Sequence, residues 1–135
     1  MDEFDLVAIG GGNGGYTAAI RATQLGLSAA IIERDKIGGT CLHRGCIPTK
    51  AWLETAETLS RARSAAEFGV TINNVALDFP AMVDRQHSIV ETLHKSLRSV
   101  VQKHRIEIIE GQARILSPTS IAVGQRVITA KNIVI

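Results

Sequence analysis

The sequence predicts an α/β fold built on parallel strands, and patterns near its start carry that prediction. Asp5–Gly10 is a short, continuous apolar run ending in glycine, which is typical of a parallel strand buried on both faces. Ala29–Ile32 repeats this pattern and ends at Glu33. The alanine-rich stretch between them, Tyr16–Leu25, is closed by Gly26 and predicts a helix. Together these segments form one βαβ unit, for which we expect a right-handed crossover.

Two longer helices are predicted in the middle of the chain. The first begins close to Pro48, because proline is tolerated in a first turn, and runs to about Arg63. A linker over Gly69–Leu77 separates it from a long amphipathic helix, Phe79–His104. The apolar residues of the first helix have near-helical spacing and those of the second form one stripe: Trp52, Ala56, Leu59 and Ala62, then Phe79, Met82, Val83, Val90, Leu93, Leu97, Val100 and Val101.

From Ile106 onward the apolar residues follow the period of strands. Ile106–Ile109 is the first of these strands, and Asn132–Ile135 resembles a separate core strand at the end. Turn residues at Ser117–Thr119 and Gly124–Gln125 divide the region between them at hairpin distances. This predicts a small antiparallel meander inserted before the core strand, made of Ala113–Leu116, Ser120–Val123 and Arg126–Thr129.

Composition excludes several classes of protein. A chain of 135 residues is about one domain, and 45% hydrophobic residues suffice for a core, so disorder and collagen-like structure are excluded. Fifteen basic and thirteen acidic residues give a net charge of +2 without charge blocks, which gives no support for nucleic-acid or membrane-surface binding. No apolar run approaches the ~20 residues of a membrane span, and the start of the chain is acidic where a signal peptide is basic. We therefore expect a cytoplasmic protein.

The glycines after the first strand form a dinucleotide-binding pattern. Gly10, Gly12 and Gly15 satisfy G-x-G-x-x-G between a strand and a helix, where glycines allow a tight turn and close approach of a pyrophosphate. The helix N-terminus offers free N–H groups to the phosphate oxygens. Glu33 follows Gly10 by 23 residues, near the spacing of the carboxylate that binds an adenosine ribose. A surface turn without a ligand is the weaker alternative, and the pattern leaves FAD and NAD both open.

Cys41 and Cys46, five residues apart, favour redox chemistry. A structural zinc site needs four suitably spaced ligands. The remaining candidate ligands do not have that spacing, so we expect no metal site; they are His43, His87, His94 and His104. A disulfide closing so small a loop adds little stability. Nearby Arg44 and Lys50 and a helix start favour a reactive thiolate. The alternative is two inert, reduced core cysteines.

The segment Gly38-Gly39-Thr40-Cys41-x-x-x-Gly45-Cys46-x-Pro48-x-Lys50, following the dinucleotide pattern and Glu33, resembles the pyridine nucleotide-disulfide oxidoreductases of class I. The resemblance covers essentially the whole chain. It implies that residues 1–135 are the N-terminal part of a Rossmann-like FAD-binding domain, in which a parallel sheet carries helices and a small antiparallel β-meander. It also implies that the domain is incomplete here and that an NAD-binding domain and a C-terminal dimerisation domain of a homodimeric enzyme lie beyond it.

The same resemblance assigns the first dinucleotide site to FAD. It implies that one group of glycines faces the pyrophosphate and that Glu33 holds the adenosine ribose. It places a second segment along the flavin and a third, at the start of the meander, against the adenine through backbone groups. The three sets are Gly10, Gly12, Gly14 and Gly15; Gly38, Gly39, Thr40, Cys41 and Lys50; and Gly111, Gln112 and Ala113.

The implied activity is oxidation of dihydrolipoamide, with electrons passing through a Cys41/Cys46 disulfide and FAD to NAD. Cys41 would exchange with the substrate sulfur and Cys46 would lie against the flavin. Lys50 would stabilise negative charge on the reduced flavin, or alternatively only solvate a helix face. The implied partner is the lipoyl domain of a 2-oxo acid dehydrogenase or glycine cleavage complex. Glutathione or mercuric reduction within the family, a flavin-free nicotinamide dehydrogenase, and a non-catalytic nucleotide-binding module remain the alternatives.

One dipeptide departs from the commonest family pattern. His43-Arg44 stands between the cysteines where Asn-Val is frequent, which adds positive charge beside the disulfide. The resemblance implies that the catalytic base belongs to a C-terminal His-Glu pair that lies beyond residue 135. His43 is therefore predicted to be a solvated loop residue with no catalytic role.

Overall fold

Six strands and four α-helices are formed by residues 2–135, the part of the chain that the computed structural model describes. The strands are β1 (Asp2–Ile9), β2 (Ala29–Glu33), β3 (Glu107–Glu110), β4 (Ala113–Ser117), β5 (Ser120–Val123) and β6 (Arg126–Val134). The helices are α1 (Asn13–Gln24), α2 (Gly39–Arg44), α3 (Cys46–Arg63) and α4 (Phe79–Lys103), and a 3-10 turn covers Ala65–Phe68.

All six strands form one sheet in the order β3-β2-β1-β6-β5-β4. β1 is central among the parallel strands, since Val7 is paired with Ala30 of β2 on one side and Ile133 of β6 on the other. β2 and β3 are also parallel, whereas β4, β5 and β6 are joined as antiparallel neighbours. The predicted α/β class is confirmed, including the first βαβ unit and the mixed sheet of a Rossmann-like fold.

The prediction of two separate strands at Arg126–Thr129 and Asn132–Ile135 is wrong, because one continuous strand, β6, runs from Arg126 to Val134. Ala130 and Lys131 between them offer no turn residue. The amino-terminal part of β6 is paired with β5, and the strand is also paired with β1 as far as Val134. The meander therefore continues the parallel sheet through a shared strand and is not a separate insertion.

Both faces of the parallel strands are buried. On one face, α1 and the carboxyl-terminal end of α4 pack on the sheet through Ala19, Ile31 and Val101, each of which is fully buried. On the other face, residues of the meander join those of β1–β3 in a second cluster of Val7, Ala30, Ile32, Ile109, Ile121, Val123, Ile128 and Ala130. Val7 and Ala8 are consecutive and both fully buried, as expected for a strand covered on both sides.

The apolar stripes predicted for the two long helices are mostly not buried. Ala51 is the buried residue of α3, whereas Trp52 and Ala56 are exposed. In α4 only Val101 and Gln86 are buried, and Phe79, Leu93 and Val100 are exposed. The physical reason is that α3 and the first part of α4 pack on each other and on α2, so they lack a sheet on their remaining faces.

The start of α1 differs from the predicted one, and the cysteine region contains a short helix that the sequence does not predict. α1 begins at Asn13 and not at Tyr16, because glycine at positions 14 and 15 does not prevent a helix from forming there. α3 begins at Cys46, close to Pro48 as predicted, and the short helix α2 precedes it. Each cysteine thus lies within a helix and not in a connecting loop.

Candidate functional site

The first glycine turn connects β1 to α1 at the carboxyl edge of the parallel strands. Gly10 has a φ of +102°, which disfavours other residues, and its N–H donates to the carbonyl of Ile32 at 2.8 Å. Gly12 is the N-cap of α1 and supplies no side-chain cap, so the first N–H groups of the helix have no side-chain acceptor there. Such a helix start is suited to bind an anion.

Gly15 fixes the distance between this helix and the strand. A Cβ at Gly15 would collide with the carbonyl oxygen of Gly10 and would lie 3.5 Å from the Cβ of Ala8. At Gly12 and Gly14, by contrast, a Cβ would have no atom within 4 Å. Gly15 is thus needed for close packing, while Gly12 and Gly14 leave an open surface above the turn.

Glu33, at the end of β2, is bonded to the glycine turn. Its Oε2 accepts a hydrogen bond from the N–H of Gly11 at 2.7 Å, and its Oε1 accepts one from Asp35 at 2.9 Å. The two bonds orient a partly buried carboxylate beside the start of α1. Such a carboxylate can accept hydrogen bonds from two neighbouring hydroxyl groups.

A second glycine turn lies directly on the first. The N–H of Gly38 donates to the carbonyl of Gly11 at 2.7 Å. A Cβ at Gly39 would lie 2.9 Å from the Cα of Gly12, and Gly39 has a φ of +61°. The two turns therefore contact each other through backbone atoms, and α2 begins beside the N-terminus of α1.

This contact brings the cysteine pair to the dinucleotide turn. Thr40 and Cys41 follow Gly39 in α2, and Cys46 is the first residue of α3. Cys41 and Cys46 form a disulfide with their Cα atoms 4.7 Å apart. At Gly45 a Cβ would lie 3.1 Å from the Thr40 carbonyl oxygen, so the absence of a side chain allows the two helices to approach.

Lys50 lies one turn after Cys46 on α3 and is exposed. Positions four residues apart in a helix share one face, so Lys50 and Cys46 share a face of α3. Within residues 2–135 the ammonium group of Lys50 takes part in no ion pair. It therefore leaves an exposed positive charge on the face of α3 that carries Cys46.

The prediction that His43 is a solvated loop residue is wrong. His43 is half-buried in α2, and its Nε2 lies 2.9 Å from the carbonyl oxygen of Ile37. His94 of α4 reaches the same oxygen through Nδ1 at 3.1 Å. Nothing in the sequence pattern pairs these residues, because they are distant in the chain and meet only where α4 crosses α2.

A cavity of about 380 Å³ opens at the carboxyl ends of β1, β2 and β3. Its lining includes Gly10, Glu33, the segment Gly111–Ala113, Thr40 and His43. Gly111 has a φ of +145°, and its N–H donates to the Glu33 carbonyl at 2.8 Å. Gly10, the predicted ribose ligand Glu33 and the predicted adenine segment thus border one cavity, at the edge where parallel α/β sheets commonly bind ligands. The other predicted pyrophosphate residues, Gly12, Gly14 and Gly15, do not line it.

Two carboxyl groups with lowered pKa values lie away from this cavity, on β1 beside β6 and the start of β2. A hydrogen bond from Lys131 at 2.8 Å, with others from Ser28, holds the pKa of the Asp5 carboxyl well below its usual range. Arg126 likewise lowers the pKa of Asp2 through a hydrogen bond. These pairs join β6 to β1 across the sheet and have a structural role.

Residues 2–135 contain neither a metal-binding cluster nor a helix suited to cross a membrane. No three His, Cys, Asp or Glu side chains among residues 2–135 lie close enough together to hold a metal ion. No helix within the same range combines the length and apolar character that a membrane crossing requires.

Comparison with known families identifies the class of protein. A family model described as pyridine nucleotide-disulphide oxidoreductase matches residues 4–135, and the chain belongs to this family. The resemblance predicted from the glycine turns and the cysteine motif is therefore confirmed.

The chain is similar to several curated dihydrolipoyl dehydrogenases. It is 47% identical to that of Bacillus subtilis (strain 168) over 117 residues, which are 87% of this chain and 25% of the relative. It is 43% identical to that of Chlamydia muridarum over 122 residues, covering 90% and 26%. It is 38% identical to the mitochondrial dihydrolipoyl dehydrogenase 1 of Arabidopsis thaliana over 141 aligned positions, covering 99% and 28%. The chain spans about a quarter of the length of these relatives.

Proposed function

We propose that this chain is the N-terminal FAD-binding and redox-disulfide part of a dihydrolipoyl dehydrogenase. The enzyme would oxidise dihydrolipoamide and reduce NAD. The observation that carries the proposal is the direct backbone contact between the dinucleotide turn and the segment with the disulfide, through the 2.7 Å bond from Gly38 to Gly11. A redox pair that lies beside a dinucleotide site can exchange electrons with the bound dinucleotide. A flavin-free dehydrogenase or a binding module has no use for the disulfide.

The residues present fit FAD. The open surface above Gly12 and Gly14 and the uncapped start of α1 can accept a pyrophosphate. The cavity beside Glu33 offers a carboxylate for ribose hydroxyls and the backbone of Gly111–Ala113 for an adenine. Gly38, Gly39, Thr40 and Cys41 then extend the site toward the place where a flavin ring would be held.

The thiol chemistry follows from the positions of the two cysteines. A thiolate of dihydrolipoamide would attack Sγ of Cys41, so that a mixed disulfide forms and Cys46 leaves as a thiolate. The second substrate thiol then attacks its own sulfur in that mixed disulfide and releases the Cys41 thiol and lipoamide. The substrate loses two electrons and two protons. The cysteine pair takes both electrons and one proton, becoming the Cys41 thiol and the Cys46 thiolate, and the second proton passes to solvent.

Cys46 is the better leaving group because of its place at the start of α3. The positive end of the helix dipole and free N–H groups stabilise a thiolate at this position. Lys50, one turn further, adds a positive charge on the same face. FAD, when bound, supplies two-electron exchange between a dithiol and a nicotinamide, and Lys50 would lie along it.

Substrate, partners and domains follow the relatives and stay proposals. The relatives are named for dihydrolipoyl oxidation, which favours dihydrolipoamide over glutathione or mercuric ion. We accordingly propose a lipoyl domain as partner, a homodimer as the assembled form and further NAD-binding and dimerisation domains in the full-length enzyme. A cytoplasmic location also stays a prediction.

The test is steady-state turnover of the full-length enzyme with three substrate pairs. We expect NADH formation from dihydrolipoamide and NAD⁺, with much slower reduction of glutathione disulfide or mercuric ion by NADPH. Cys41→Ser and Cys46→Ser should each lower the activity at least about a thousandfold while FAD stays bound. Purified enzyme without flavin, or unchanged turnover of Cys46→Ser, would contradict the proposal.

A further inference from the structure

Two histidines converge on one backbone carbonyl beside the redox disulfide. Nε2 of His43 and Nδ1 of His94 lie 2.9 and 3.1 Å from the carbonyl oxygen of Ile37. The two rings meet edge to face, with centroids 5.1 Å apart and planes at 64°. Because a carbonyl oxygen only accepts hydrogen bonds, both of these ring nitrogens carry a proton and donate.

The shared carbonyl precedes the segment that carries the disulfide. Ile37 is buried, and the next two residues, Gly38 and Gly39, have φ values of +110° and +61°. His43 itself lies inside the loop that the disulfide closes between Cys41 and Cys46. The His94 bond therefore joins α4 to the start of the redox segment, and the His43 bond joins the same point to the middle of that loop.

The helix that carries Cys41 needs such support. α2 has six residues and no side-chain cap at its start, and helices this short are unstable on their own. The pair Arg44–Asp35 also spans this region at 2.6 Å, but its side chains are 72% and 46% exposed, so it contributes little. The half-buried histidine bonds are the stronger candidates for fixing the loop.

We propose that His94 is a positioning residue for the redox disulfide. Through the Ile37 carbonyl and His43, it holds the loop between Cys41 and Cys46 in the disulfide-bonded conformation after the bond has been reduced. This inference rests on the proposed function, since it concerns the same cysteine pair.

The expected consequence is a change in the dithiol–disulfide equilibrium. Reduction breaks the bond between the two Sγ atoms and adds two electrons and two protons, which a dithiol reductant supplies as it becomes a disulfide. The opened loop gains conformational freedom, and it gains more when the His94 bond is missing. Removal of that bond should therefore favour the dithiol form.

The equilibrium can be measured in the full-length holoenzyme with buffers of reduced and oxidised dithiothreitol. The fraction of Cys41 and Cys46 that can be alkylated is read by mass spectrometry. We expect His94→Phe, which keeps an aromatic ring but removes the donor, to shift the equilibrium about three- to tenfold toward the dithiol. For a two-electron couple this shift equals about 14 to 30 mV.

Two matched variants separate the hydrogen bond from other effects. His94→Asn keeps an N–H donor near the position of Nδ1 and should restore an equilibrium close to that of the wild type. His87→Phe alters an exposed histidine on the same helix, seven residues earlier, with no hydrogen bond to the side chain among residues 2–135, and should leave the equilibrium unchanged.

An unchanged equilibrium in His94→Phe, or equal shifts in His94→Phe and His94→Asn, would overturn the inference. If His94→Phe does not fold, the same comparison is made with His43→Phe and His43→Gln, since Gln keeps a donor near Nε2. Failure of the proposed function has a different result: in the wild-type enzyme, dihydrolipoamide would be oxidised without any change in the alkylation of Cys41 and Cys46.

Discussion

The dinucleotide turn, residues 10–15, and the redox segment, residues 37–50, lie against each other but are held in place differently. The turn is fixed by backbone contacts that side chains would prevent, such as the approach of Gly15 to the Gly10 carbonyl. The redox segment shares such backbone contacts at Gly38 and Gly39, but it is also fixed by side chains, through the disulfide and the donors His43 and His94. Cofactor binding and thiol chemistry should therefore respond to different kinds of substitution.

The largest effect is expected from Gly15→Ala in the dinucleotide turn. Its methyl group would collide with the Gly10 carbonyl oxygen and push α1 away from β1. We expect a loss of about 3 kcal/mol of stability and of bound FAD. The measurements are the thermal unfolding temperature and the ratio of flavin to protein in the purified full-length enzyme.

Gly14→Ala is the matched control, because a Cβ at Gly14 would have no atom within 4 Å and both residues are in the first turn of α1. Its stability should be unchanged or higher by up to about 1 kcal/mol, since alanine favours helix over glycine. Equal stability of the two alanine variants would show that the close packing at Gly15 does not matter.

Gly39→Ala changes the contact between the two regions. The substitution combines a left-handed φ with a Cβ placed 2.9 Å from the Cα of Gly12. We expect the free energy of unfolding to fall by about 2 to 3 kcal/mol. Reduction of the flavin by dihydrolipoamide should also be slower, because the redox segment must shift away from the dinucleotide turn. Stopped-flow absorbance follows this reduction.

Gly26→Ala separates conformational strain from the contact. Gly26 has a φ of +83°, and a Cβ there would have no atom within 4 Å. Gly26→Ala should lower the free energy of unfolding only by the backbone strain, about 1 kcal/mol, and should leave the rate of flavin reduction unchanged. If the flavin is reduced equally slowly in Gly39→Ala and Gly26→Ala, the contact between the two turns is not the cause of the slower reduction.

Glu33→Gln tests the side chain that supports the turn. The amide can accept only one of the two hydrogen bonds that the carboxylate accepts from Gly11 and Asp35. We expect a loss of about 1 to 2 kcal/mol in FAD affinity, measured by calorimetry on the reconstituted apoenzyme. The dithiol–disulfide equilibrium of the cysteines should stay the same, and a shift there would contradict the separation of the two regions.

The smallest effect is expected from Arg44→Gln in the redox segment. The ion pair of Arg44 with Asp35 is exposed, so its loss should cost less than about 1 kcal/mol and its contribution should fall with added salt. Thermal unfolding at low and high salt measures this. A larger effect than that of His94→Phe on the cysteine equilibrium would show that charge, and not the histidine bonds, positions the loop.

The difference between the regions also explains what could be predicted from the sequence. The turn depends on local glycine spacing, which the sequence displays, and the position of Glu33 follows from the strand before it. The contact of His94 with Ile37 joins residues 57 positions apart and depends on how α4 crosses α2, which periodicity does not determine. The continuity of β6 is different, because the absence of a turn residue at Ala130 and Lys131 indicates it in the sequence, whereas the pairing of β6 with both β1 and β5 arises only in the sheet.

The most direct test of the central claim is a single-turnover thiol measurement. Oxidised full-length enzyme is mixed anaerobically with one equivalent of dihydrolipoamide, quenched in acid, alkylated and analysed by mass spectrometry. The proposed function predicts that Cys41 and Cys46 both become alkylated before NAD⁺ is added, and that they return to the disulfide as NADH forms. NADH formation while both cysteines stay disulfide-bonded throughout would contradict it.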